Sequence, residues 1–166
     1  MIKNFEIKFA TVEDTPLILS FIKELADYEK LLSQVVATSE LLEKTLFGPK
    51  ANAEVIIGYL HQKPVSFALF FHNFSTFLGR PGLYLEDLYV RPEARSQGIG
   101  YKMLSFLAKL AKQRDCGRFE WWVLDWNEPA IKFYKKMGAQ AMDEWTVFRL
   151  TGQSLDELAL AFEAGY

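Results

Sequence analysis

The stretch Arg95-Ser96-Gln97-Gly98-Ile99-Gly100 has the most chemical content in the chain. It follows a strand-like run, Leu83 to Val90, and opens an amphipathic helical pattern that reaches about Asp115. A strand, a short turn with two glycines and a helix start together build an anion site. Glycine lets the backbone approach a ligand with no Cβ in the way. The unpaired N–H groups of the first helical turn point at whatever sits there, and the helix dipole favours negative charge. A phosphate-bearing ligand is the first expectation. The spacing is not that of a dinucleotide site, because Met103 stands where the third glycine would be, and no Gly-Lys-Ser/Thr follows as in a P-loop. For a bare Gly-x-Gly the favoured reading is a tight strand-to-helix turn with no ligand, so other residues must decide.

Glu86 and Asp87 are adjacent on the strand before this turn. Strand alternation sends their side chains to opposite faces, which argues against a coupled pair. Trp121 and Trp122 alternate in the same way, one toward the core and one toward a pocket border. Cys116, the single cysteine, has no histidine or helix N-terminus near it in sequence and reads as an inert, semi-buried thiol. His61 and His72 have no Cys, Asp or Glu at ligand spacing, so no metal site is expected.

These residues need elements to hold them. Phe5 to Ala10 reads as a first strand. Thr11-Val12-Glu13-Asp14 is a capping-type start, with Leu17, Ile18, Phe21, Ile22 and Leu25 at helical spacing up to about Glu29. Thr38 caps a second short helix through Leu46. Ala53 to Leu60 and Pro64 to Phe71 form a hairpin across His61-Gln62-Lys63. Asn73 to Gly82 reads as a loop. From Gly98, the residues Ile99, Met103, Phe106, Leu107 and Leu110 make one apolar helix face. Phe119 to Leu124 is a strand. Asn127-Glu128-Pro129 starts a helix that stops at Gly138. Trp145 to Leu150 reads as a late strand, and Ser154-Leu155-Asp156-Glu157 as the capping box of a C-terminal helix. The order predicts an α/β fold: a single domain over 1–166 with one mixed central sheet and helices on both faces.

With 166 residues, half of them hydrophobic and 15% aromatic, the chain has ample material for a packed core. Its net charge of −2 lacks the basic face of a general nucleic-acid binder and suits cationic substrates. The start Met1-Ile2-Lys3-Asn4-Phe5-Glu6 lacks a secretory pattern, and no apolar run approaches the ~18 residues of a membrane span. The expectation is a soluble, cytoplasmic protein without nucleic-acid or membrane partners.

Arg95-Ser96-Gln97-Gly98-Ile99-Gly100 matches the Arg/Gln-x-x-Gly-x-Gly/Ala signature of the GNAT superfamily of N-acetyltransferases. Leu85-Glu86-Asp87-Leu88-Tyr89-Val90 resembles the strand before that signature. Asn127-Glu128-Pro129-Ala130-Ile131-Lys132-Phe133-Tyr134-Lys135-Lys136-Met137-Gly138-Ala139 resembles the superfamily's second cofactor segment. Tyr84-Leu85-Glu86-Asp87, the segment Trp126 to Tyr134, and Lys23-Glu24-Leu25-Ala26-Asp27-Tyr28-Glu29 are similar to the diamine (spermidine/spermine) acetyltransferase branch, so the resemblance covers nearly the whole chain. Some members of that branch prefer thialysine or other small amines.

The resemblance implies acetyl-CoA as acetyl donor and no metal. Its pyrophosphate would lie on the loop Arg95, Ser96, Gln97, Gly98, Ile99, Gly100 and Tyr101. Its pantetheine arm would lie along Leu88, Tyr89 and Val90, with Asn127, Glu128, Pro129 and Ala130 on the far side. Ser96 stands where glycine is common, and a small effect is expected because the loop donates through backbone N–H. Tyr134 matches the general acid. At ~10 a tyrosine can protonate a thiolate whose thiol has a pKa of ~8.5. Glu86 resembles the residue that handles the amine proton through water, a step the reaction needs because an alkylammonium of pKa ~10.4 is under ~0.1% nucleophilic at neutral pH. Tyr28, Glu29, Glu86, Asp87, Trp121, Trp122 and Glu144 would line the acceptor site, the carboxylates holding the distal charge. The stretch Phe77 to Gly82 departs from the mammalian polyamine enzymes and bears on substrate identity. The implied activity is acetylation of a polyamine or diamine by a homodimer. The alternatives are thialysine or amino-acid-like amines, for which Arg80 or Arg149 could hold a carboxylate, and protein lysines or N-termini.

Overall fold

The computed structural model describes residues 2–163. They fall into two compact units, one up to Trp122 and one from Val123 on. The first unit holds a five-stranded sheet in chain order: β1 (Phe5–Phe9), β2 (Glu54–Leu60), β3 (Lys63–Ser75), β4 (Arg80–Val90) and β5 (Arg118–Trp121). Neighbours are antiparallel from β1 to β4, and β4 to β5 is parallel. That parallel step needs a crossover, supplied by helix α3 (Ile99–Gln113). The unit also contains α1 (Thr15–Tyr28) and the short α2 (Ser39–Leu42), which runs into a π-turn over Glu43–Phe47. The Thr38 hydroxyl caps α2 by accepting from the Leu41 N–H at 3.2 Å.

Period-two alternation explains why the sheet carries helices on both faces. Val55, Ile57, Phe67 and Tyr89 form one core with Ile18 and Phe21 of α1. Phe21 stacks on Phe67 at 5.2 Å between centroids. Ile56 has the opposite parity and pairs with Phe9, whose ring meets Phe106 of α3 edge-on at 6.0 Å. Ile99, Met103, Leu104, Leu107 and Ala111 are the buried stripe of α3.

The elements depart from sequence expectation at several points. The β2–β3 link is only His61-Gln62, both at positive φ (49° and 65°), and Lys63 already pairs with Leu60. Most of the expected loop Asn73 to Gly82 is sheet, because β3 runs on to Ser75 and β4 starts at Arg80, joined through Gly79 at φ 60°. A polar ladder holds this extension, with the Asn73 Nδ2 donating to Glu120 Oε1 at 2.5 Å across β4. β5 ends at Trp121 rather than Leu124.

The second unit contains α4 (Glu128–Lys136) and α5 (Gln153–Glu163). Trp145 to Leu150 is not a strand: its alternation finds no partner strand among the described residues, and all six residues are exposed. Ser154 lies inside α5 instead of capping it, because the Leu155 and Asp156 N–H groups already bond the Gly152 carbonyl (3.0 and 3.2 Å). No helix among the described residues is long and apolar enough to cross a membrane.

Candidate active site

β4 changes character at Glu86. Leu85 pairs with Phe70 and Asp87 with Leu69, so Glu86 is the extra residue of a β-bulge. Simple alternation of Glu86 and Asp87 therefore does not hold. The bulge leaves Glu86 exposed, and turns Asp87 to the face that also carries Tyr89 and α1. It coincides with the end of the parallel pairing, which runs from Gly82↔Arg118 to Leu85↔Trp121. Beyond Leu85 the β5-facing edge of β4 has no strand partner among the described residues. The Arg91 N–H reaches back to the Val65 carbonyl of β3 at 2.9 Å. By alternation Tyr89 turns its backbone groups toward β3, and Leu88 and Val90 turn theirs to the open edge.

The turn after β4 is a 3-10 turn over Pro92–Ala94, followed by the loop into α3. Ser96 (φ 62°) and Gly98 (φ 81°) are both left-handed. A Cβ on Gly98 would meet nothing closer than Ile2 Cδ1 at 3.8 Å, so glycine serves the backbone conformation here rather than space. Ser96 takes the same conformation with a side chain, at about 1 kcal/mol, which explains why glycine suits this position. The first bond of α3 runs from the Lys102 N–H to the Gly98 carbonyl at 3.0 Å. The N–H groups of Ile99, Gly100 and Tyr101 precede it and have no helical acceptor. Gln97 turns its amide back to the Glu93 carbonyl at 3.3 Å, leaving the loop's outward donors to the backbone. Left-handed turn, orphan N–H groups and open strand edge fit a phosphate followed by an extended amide chain.

Around Asp87 the groups are carboxylates. Burial pushes the Asp87 carboxyl up to about 7, with the charges of Glu86 and Glu29 adding to the effect. The charge of Glu86 is thus felt at Asp87 across the bulge. Burial also raises Glu29, the residue closing α1. Tyr28 precedes it, and the Arg95 guanidinium lies over its ring at 4.9 Å and over Tyr89 at 5.5 Å. Tyr84 is buried between Phe71 (4.9 Å) and the edge of Trp122 (5.8 Å, 89°). Trp122 is the exposed member of the tryptophan pair. Trp121 sits half-buried on the other side beside Phe119 at 4.9 Å. One turn back on α1, Glu24 takes two bonds from Arg91 (3.0 and 2.7 Å), whose remaining arm donates to the Pro64 carbonyl at 3.0 Å. That pair holds Glu24 well below the usual carboxylate range. Sequence reasoning missed the bulge and both arginine contacts, because neither a register shift nor a stacked guanidinium leaves a local pattern.

In the second unit, the Asn127 side chain caps α4 by accepting from the Ala130 N–H at 3.4 Å, with Glu128 and Pro129 in the first turn. Tyr134 is half-buried beside Phe133 at 5.6 Å. Gly138 (φ 88°) ends the helix as expected. Glu144 is exposed outside regular structure. Cys116 is buried and its thiol pushed up by burial, so it stays protonated. Among the described residues no three potential ligands gather for a metal.

The profile of the acetyltransferase (GNAT) family matches residues 22–139, the span that contains the loop, the bulged strand and the Asn127 cap. The chain belongs to this family. It is an acetyltransferase that acts on amines, in a family that uses acetyl-CoA as the acetyl donor. It is 38% identical to the thialysine N-epsilon-acetyltransferase of Sus scrofa, over 92% of this chain and 96% of that one. It is 32% identical to an L-ornithine N5-acetyltransferase of Arabidopsis thaliana, over 92% and 86%. It also matches a spermidine/spermine N(1)-acetyltransferase-like protein of Homo sapiens at 32%, over 93% of this chain and 24% of that one. Among solved structures, an integron cassette protein from the mobile metagenome of V. cholerae superposes with a TM-score of 0.80 at 28% identity, covering 94% of this chain and 98% of that one. An aminoglycoside acetyltransferase from an uncultured soil metagenomic sample shares the fold at a TM-score of 0.77 and 20% identity, over 92% and 100%.

Proposed function

We propose that this acetyltransferase acetylates a primary amine of a small polyamine or diamine by direct attack of the amine on the donor thioester. The observation that carries this reading is the trio Asp87, Glu86 and Glu29. Burial, with the charges of Glu86 and Glu29 adding to it, pushes the Asp87 carboxyl up to about 7, a cost that a bound cation relieves. A diamine or polyamine brings a second positive charge beyond its reacting nitrogen, and carboxylates alone can hold it.

Acetyl-CoA, when bound, supplies an activated thioester. The N–H groups of the Ser96–Tyr101 loop would take its pyrophosphate, and the open edge at Leu88 and the Val90 N–H its pantetheine amides, the Val90 carbonyl already accepting from Arg95. Asn127, Glu128, Pro129 and Ala130 join this set by their motif. On the acceptor side, Asp87 and Glu29 hold the distal ammonium. Tyr28 and Trp122 offer aromatic walls, and the exposed Glu86 accepts the proton of the reacting ammonium through water. A carboxylate in contact with that ammonium would oppose its deprotonation, so the water relay matters. The Tyr134 phenol returns a proton to the departing thiolate, an assignment that rests on its motif position.

A second reading, acetylation of thialysine or a related amino acid, is favoured by the names of the Sus scrofa and Arabidopsis relatives. Release of CoA at saturating acetyl-CoA, measured with a linear diamine, a triamine, thialysine, ornithine and a lysine peptide, separates the two. The expected result is a higher kcat/KM for the diamine and triamine. Preference for thialysine or ornithine would select the second reading, and tight acetyl-CoA binding with no release on any amine would overturn both.

A further inference from the structure

Two arginines that follow β4 reach consecutive turns of α1. Arg91 takes Glu24, and Arg95 takes Tyr28, the residue one turn further on. The two contacts differ in kind. Arg91 makes a bidentate ion pair, bonds the Pro64 carbonyl and covers the Phe21 ring at 4.6 Å, so all three of its guanidinium nitrogens are engaged. Arg95 is exposed and meets no carboxylate at Tyr28. Its Nε donates to the Val90 carbonyl at 2.8 Å, and its Cζ lies 4.9 Å from the Tyr28 ring centroid and 5.5 Å from that of Tyr89. The side chain thus turns back from the phosphate loop toward the last turn of α1, and bridges that turn to the end of β4.

We propose that the Arg95 side chain is a positioning residue for the acceptor amine rather than a phosphate ligand. It sets the last turn of α1, with Tyr28 and Glu29, over the strand end that bears Asp87. The inference rests on the reading of Asp87, Glu86 and Glu29 as the acceptor site. A guanidinium can meet two rings and bond a carbonyl at once, whereas a compact ammonium cannot reproduce all three contacts. Arg95 and Tyr28 are exposed, Tyr89 belongs to the core, and each contact is individually weak, which suits a positioning role better than a stabilising one.

The test compares the full-length protein with Arg95→Gln and Arg95→Lys by three readouts: acetyl-CoA Kd by calorimetry, amine KM and kcat at saturating acetyl-CoA, and the Asp87 carboxyl titration by NMR. The expected result for both variants is an amine KM raised about fivefold, the loss of two weak cation–π contacts. The acetyl-CoA Kd and kcat should stay within about twofold by the same reasoning. The Asp87 midpoint should fall as Glu29 moves away. An acetyl-CoA Kd weakened about tenfold in Arg95→Gln and recovered in Arg95→Lys, with the amine KM unmoved, would make Arg95 a phosphate ligand and overturn the proposal. Parallel losses in Kd, KM and melting temperature would make it merely structural and also overturn it. If the unaltered protein turns over no amine, the functional reading fails. The Asp87 titration then still decides the placement of α1, and an unmoved midpoint counts against it.

Discussion

Between Ser96 and Tyr101 the outward-facing groups are backbone N–H donors, shaped by two left-handed residues and a helix start. Around Asp87 they are side-chain carboxylates drawn from the end of α1 and the bulge of β4. The first arrangement is local in sequence, and its chemistry depends on φ angles that glycine adopts freely. The second is assembled by packing: the Arg91–Glu24 pair and the Phe21–Phe67 stack hold α1 against the sheet, so that Glu29 comes within Coulomb reach of Asp87. A site made of backbone can be read as a motif. A site made of distant side chains needs the fold first.

The proposed roles divide along the same line, and substitutions can break it. The largest effect is expected from Tyr134→Phe, which belongs to neither binding end. Turnover should fall about a hundredfold, the usual scale for losing a general acid, while the acetyl-CoA Kd and the amine KM barely change. Unchanged turnover at saturating substrates would remove the assignment. Gly98→Val should act at the donor end alone. A β-branched residue at φ 81° is strained by about 1–2 kcal/mol, so the acetyl-CoA Kd should rise roughly tenfold while the amine KM holds. Equal affinity in the two proteins would count against the phosphate loop.

Asp87→Asn probes the acceptor end through stability as well as binding. The native Asp87 keeps its proton up to about 7, whereas in the unfolded chain the group ionises near its ordinary 3.8. Between those values the native state binds more protons, so stability falls as pH rises through the window and is level above it. Asparagine escapes that loss. The variant should match the parent in melting temperature at pH 4 and exceed it at pH 8, and a difference that ignores pH would mean the carboxyl is not suppressed.

How much the sequence revealed follows the same contrast. The strand-loop-helix from Leu83 to Asp115 was legible because glycine placement and apolar spacing are local signals, and so was the Asn127 cap. Helices on both faces of the sheet followed from the order of the elements. The strand extension through Asn73 and Gly82 was hidden, because Asn, Gly and Pro there imitate a loop while the Asn73–Glu120 bond holds them in the sheet. Trp145 to Leu150 erred the other way: alternation without a partner strand does not make a sheet. The bulge at Glu86 had no signal, and with it went the true relation of Glu86 to Asp87. Arg95 was legible as a signature residue, but the direction of its side chain depends on Tyr28, which only the folded α1 brings near.

The central claim is that a carboxylate cluster around Asp87 receives a cationic amine. The most direct measurement is kcat/KM for a linear diamine at pH 7.5 and saturating acetyl-CoA, in the unaltered protein and in Asp87→Asn. A fall of about fivefold, carried by KM with the acetyl-CoA Kd unchanged, is the predicted result for the loss of one charged contact. Equal kcat/KM in the two proteins would contradict it.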